Sequence, residues 1–166
     1  MSFIKRVISD LRVMDPIYPL CGGCGLAVLG VITLMSCGCH PVYQWMLLPR
    51  AALPYWVFAI LGILLFFLFG CAIGFIFSLP HCGNRVYKPM LGLLCGVVLT
   101  MVWYHVLFQS FSTFISIVIL LAAMAIVMLS FVAISSFNAI SAVMGVPICL
   151  IQLHLLWLNI GIRFLN

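Results

Sequence analysis

Three long stretches of this chain carry no Asp, Glu, Lys or Arg: residues 16–49, 51–84 and 89–162. Nothing else in the sequence constrains the fold as strongly. A soluble domain carries about 25% charged residues, whereas here 5% are charged and 67% hydrophobic. Such a chain belongs in a bilayer. At about 20 apolar residues per crossing, its 166 residues supply roughly five helical spans with little left over. No room remains for a soluble catalytic module or a second domain, so residues 1–166 are expected to form one five-helix transmembrane bundle.

Prolines and the few charges punctuate the spans. The first is expected at about 20–38, after Pro16 and Pro19. The second runs over about 55–79, between Pro54 and Pro80, and the third over about 90–108, after Pro89. The fourth covers about 112–136 and the fifth about 143–164, with Pro147 in its first turns. Residues 1–15 hold Lys5, Arg6, Arg12, Asp10 and Asp15, with Phe3, Ile4, Val7, Ile8, Leu11 and Met14 at helical spacing. That pattern predicts a short amphipathic helix in the interface. Lys5, Arg6, Arg12, Arg85 and Lys88 fall on one side, Arg50 and Arg163 on the other. Under the positive-inside rule the N-terminus is cytoplasmic and the C-terminus outside. The formal charge of +5 suits topology control and anionic lipid, not nucleic acid. LMSC, residues 34–37, faintly resembles a lipoprotein cleavage site. Met35 fits that pattern poorly, so the first span is expected to be retained.

CGGC (21–24) and CGCH (37–40) have spacings used for redox or metal chemistry. On one helix they stand about 24 Å apart at 1.5 Å per residue, so they cannot share an ion. Close helix packing around Gly22, Gly23 and Gly25 is the expected role, and no metal site is expected. His105 and His154 lie within spans, where an ionisable group faces the bundle interior or a cavity. Each is either a hydrogen-bonded core residue or a polar anchor for a ligand. Gly70/Gly74 and Gly92/Gly96 have GxxxG spacing, which permits close backbone approach within a bundle or between protomers. Gly92 and Gly96 are the candidate contacts of a homodimer. At the C-terminal end, LLWLNIGIRFLN (155–166) places Asn159, Arg163 and Asn166 on one helical stripe, which Gln152 extends.

Two stretches resemble the translocator protein family (TspO/MBR, the peripheral benzodiazepine receptor relatives). In YQWMLLPRAALPYWVFAIL (43–61), Tyr43, Pro49, Pro54, Trp56 and Phe58 match a family pattern like Y-x-x-L-x-x-P-x-W-x-P-P-x-W-x-F. In the last span, Pro147, Leu158, Asn159, Ile162, Leu165 and Asn166 fall where the family has P-Y-x-x-W and then L-N-x-x-I-x-x-L-N. A weaker match is VVLTMVWYHVLF (97–108), through Leu99, Trp103 and Phe108. The resemblance covers residues 20–166.

It implies a bundle whose cavity, capped by the first loop (39–54), binds flat hydrophobic ligands such as porphyrin, haem or sterols, for transport or sensing. Porphyrin or haem is then a ligand, and no cofactor is required. The ligand contacts it implies are Trp56, Phe58, Trp103, His105, His154 and Trp157. Pro49, Pro54, Asn159 and Asn166 are signature residues expected to pack helices, with Arg163 at the headgroups. The expected setting is a bacterial cell membrane, as a homodimer. Family aromatics are replaced by Ala51, Gly62, Ile148 and Ile151, and Gly62 with Ile151 predicts a wider, less aromatic cavity. Two other functions remain open: a structural or regulatory membrane subunit with a degenerate pocket, or an enzyme acting on a tetrapyrrole. Against the enzyme, Asp10 and Asp15 are the only carboxylate side chains and both lie outside the spans.

Overall fold

A computed structural model describes residues 7, 15–50, 52–78 and 86–166. Among them are six helices: α1 (Ile17–Ser36), α2 (Cys39–Trp45), α3 (Tyr55–Phe77), α4 (Tyr87–Phe108), α5 (Thr113–Ile134) and α6 (Ala139–Leu165). All but α2 are long and apolar enough to cross a membrane. The five expected spans are therefore present, and the chain is a multi-pass membrane protein. The amphipathic segment 1–15 lies outside the described residues except Val7, which is helical, and Asp15. Two boundaries differ from the sequence reading. The first loop contains a helix, α2, and α6 begins at Ala139, which puts Pro147 in the helix interior. Asn138 explains the early start, because its Oδ1 accepts the Ser141 N–H at 2.9 Å as an N-cap. Gly38 separates α1 from α2 in the left-handed conformation (φ +62°), which glycine adopts without a Cβ penalty.

The spans form a ring in the order α1, α3, α6, α5, α4, with α4 returning to α1 and α3. Short connections at 109–112 and 135–138 make α4, α5 and α6 successive antiparallel neighbours. The tightest crossing joins α1 to α3. A Cβ built on Gly22 would stand 2.5 Å from the Gly70 carbonyl oxygen, and one on Gly74 would run into Tyr18 and Pro19. Gly22 thus admits the α3 backbone and Gly23 makes room for the Cys71 and Phe67 side chains, while Cys21 and Cys24 face outward. Gly92 and Gly96, the candidate dimer contacts, pack within the chain. Added Cβ atoms would meet Ser130 Oγ and Val127 Cγ2 of α5. The short α4–α5 turn brings α5 onto this small-residue strip, so the strip is not left free for a second copy.

Most buried polar side chains in the spans, Gln152 and the Tyr104 hydroxyl excepted, are bonded locally or across helices. Thr33, Thr100 and Ser130 each donate to the carbonyl four residues back at 2.8 Å. Asn138 Nδ2 donates to the Phe75 carbonyl at 3.1 Å, and Ser141 Oγ to that of Ala72 at 3.2 Å. These bonds tie the start of α6 to the end of α3.

Candidate ligand-binding site

The segment between α1 and α3 folds across one end of the ring. Its α2 half is anchored by Tyr43, which is buried, stacks on Phe58 at 5.0 Å and donates its hydroxyl to the Leu53 carbonyl at 2.6 Å. Its other half is clasped by the end of α6. Asn166 Nδ2 donates to the Leu47 carbonyl at 3.0 Å while Asn166 Oδ1 accepts the Leu47 N–H at 3.3 Å. Pro49 lies directly on Gly161, with no room for a Cβ there. At the α1 end, Gln109 Nε2 donates to the Ser36 carbonyl at 2.9 Å, and Cys37 Sγ lies 3.2 Å from His105 Nδ1. His105 Nδ1 is also 3.0 Å from the Met101 carbonyl, the contact expected of an N–H donor at that nitrogen. Burial pushes the Cys37 thiol up, and Cys39 further, with Cys37 adding to the effect. Burial likewise raises the Tyr43 hydroxyl.

Beneath this cap the interior is aromatic. Phe58 meets Tyr104 at 6.0 Å and Phe108 at 5.7 Å, and Trp103 sits edge-on to Tyr104 at 4.6 Å. The expectation that Gly62 widens the cavity is corrected here. A Cβ on Gly62 would come 2.6 Å from the Tyr104 hydroxyl, so that tyrosine fills the space the glycine leaves.

An open crevice of about 340 Å³ runs under the cap between α1 and α3. Val31, Leu34, Ala59 and Ile63 form apolar walls, and Cys39, His40 and Tyr55 lie toward the cap. His40 and Tyr55 are edge-on at 4.7 Å, and the Gln44 amide lies 3.2 Å from His40 Nε2. A larger groove of about 620 Å³ lies between α5 and α6, lined by Met124, Met128, Phe131 and Leu153 among others. It is shallower, and among the described residues its polar lining is Ser135 and Cys149. Orientation of a ligand needs a few convergent polar groups, so the crevice is the better candidate.

None of the six expected ligand contacts lines the crevice. Trp56 points outward at 65% exposure. Phe58 and Trp103 are fully buried, and His105 is engaged as described. His154 stacks on the partly exposed Trp157 at 5.8 Å, on the outer side of α6. The signature residues, in contrast, are brought into contacts. With its amide oxygen turned toward the indole, Asn159 accepts from Trp103 Nε1 at 3.0 Å and from the Ile117 N–H at 3.2 Å, and also bonds Ser116 Oγ. Pro54 precedes α3, and Arg163 is exposed near its end of α6. Sequence reasoning missed His40, Tyr55 and Tyr104. His40 was hidden in a metal-like motif, and Tyr104 stood between the two more conspicuous residues Trp103 and His105. Among the described residues no cluster of three or more His, Cys, Asp or Glu could hold a metal ion. Compared with known proteins, the chain matches no family model and no curated protein.

Proposed function

We propose that this protein binds flat hydrophobic ligands of the porphyrin, haem or sterol kind, as its resemblance to the translocator protein family implies, and holds them in the crevice under the cap. One observation carries the reading. Residues that create the resemblance (Tyr43, Pro49, Phe58 and Asn166) are the ones that seat the cap over the crevice. Its volume of about 340 Å³ falls at the small end of the roughly 300–1,000 Å³ range of ligand pockets. The crevice is open, so part of a polycyclic ring can remain outside it. Titration of the purified protein with protoporphyrin, read by indole quenching, and with labelled cholesterol tests this. Saturable binding of either is expected, with loss in Ala59→Trp, whose indole fills the crevice. If neither ligand binds saturably, the structural-subunit reading takes its place.

A further inference from the structure

The Tyr104 hydroxyl is fully buried and has no hydrogen-bond partner among the described residues. Other buried hydroxyls of the spans, on Thr33, Thr100, Ser116, Ser130 and Ser141, all reach a carbonyl. An unpaired hydroxyl in hydrocarbon surroundings is costly, and its position here is specific. It sits over Gly62, and Leu34 Cδ1 lies 3.5 Å from the point where a Gly62 Cβ would be. Leu34 is itself a wall of the crevice. Leu34 thus borders both the crevice and the Gly62 position over which the unused polar group sits. Gln152 is also buried and unpaired, but it does not line the crevice.

The charge of the surroundings restricts what could meet that hydroxyl. Among the described residues no Lys, Arg, Asp or Glu lines the crevice, so a carboxylate driven to its inner end would be buried without a countercharge. A hydroxyl or ketone carries no such penalty, and a phenol can donate to either and accept from the former. We propose that Tyr104 is a specificity-determining residue that bonds the single uncharged hydroxyl or ketone of a flat polycyclic ligand, with Leu34 changing rotamer to admit it. This rests on the ligand-binding reading above. Gly62 keeps the position usable, since any larger residue there would displace the hydroxyl.

The test compares three steroids of one skeleton on the full-length protein: cholesterol, cholest-4-en-3-one and 5α-cholestane, which has no polar group. Protoporphyrin is the reference ligand. The wild type is expected to bind the alcohol, the ketone or both about ten-fold more tightly than the alkane, as one net hydrogen bond supplies. Preference for the alcohol alone, or for the ketone alone, identifies which group is read. Tyr104→Phe should retain alkane affinity and lose the preference, and Gly62→Ala should do the same by displacing the hydroxyl. Equal affinities in the wild type overturn the proposal, as does a preference that survives in both variants. Saturable protoporphyrin binding with no steroid binding overturns it while leaving the binding function standing. Failure of all four ligands removes both.

Discussion

Asn159 serves three partners from one amide, and each of them is left without water in a bilayer. Replacing it with leucine keeps the volume but strands the Trp103 indole N–H and the Ser116 hydroxyl's cross-helix contact. Asn159→Leu is expected to lower stability by about 1–2 kcal/mol, read from denaturation of the detergent-solubilised protein. Trp56 makes the opposite point. At 65% exposure and outside the crevice lining, it is expected to leave ligand affinity unchanged on substitution by alanine, in a steroid or porphyrin titration. The thiols past the end of α1 carry a pH prediction. Burial raises Cys37 and Cys39, so the folded protein keeps these protons at a pH where the unfolded chain has released them. Their stabilising effect is full below the ordinary thiol value of about 8.5 and is lost as pH rises toward the folded values. Melting temperature should therefore fall between pH 8 and 10, and fall less in Cys39→Ala.

Helix α3 shows what an element can do when its sequence has almost no amphipathic pattern. It is apolar on all sides, and small residues decide which neighbour comes closest. Gly70 and Gly74 admit the α1 backbone, where an added methyl has only backbone atoms to push against. Gly70→Ala is expected to destabilise by about 1–3 kcal/mol. Gly25, on the same α1 helix, has nothing within 4 Å of an added Cβ, so Gly25→Ala should stay within about 0.5 kcal/mol of wild type. Paired thermal denaturation curves give both values. The turn at Gly38 is a third case: space there is open but φ is +62°. Conformation alone therefore sets the penalty for Gly38→Ala, about 1 kcal/mol.

For the whole molecule, span number and approximate limits were legible because charge and proline mark the ends of apolar runs. Ring order was not, because an apolar helix does not announce which neighbour its glycines will meet. Gly92 and Gly96 illustrate this: their spacing was visible, but their partner, α5, became clear only in three dimensions. The site was least legible. Tryptophans draw attention in a sequence, yet Trp56 faces outward and Trp103 is bonded to Asn159, while less conspicuous His40, Tyr55 and Leu34 line the crevice. The cation distribution still predicts the orientation. Cys39 is too buried to report on it, but Trp45 is 86% exposed on the cap. Trp45→Cys should react with an impermeant maleimide from the outer face only, and labelling from the cytoplasmic face alone would invert the topology.

The ring order also dictates a timetable for synthesis. Helix α3 precedes α4 and α5 in the chain, but one of its two main neighbours, α6, follows them both. Until α6 emerges, the Trp103 indole lacks the Asn159 acceptor and the α3 end lacks Asn138 and Ser141. Until then the nascent bundle is an open arc in which these polar groups have no α6 partner, and an unsatisfied polar group in a bilayer is costly. A chain halted after residue 137 should be degraded rapidly, and co-expression of residues 138–166 should restore it, as a pulse-chase experiment would reveal.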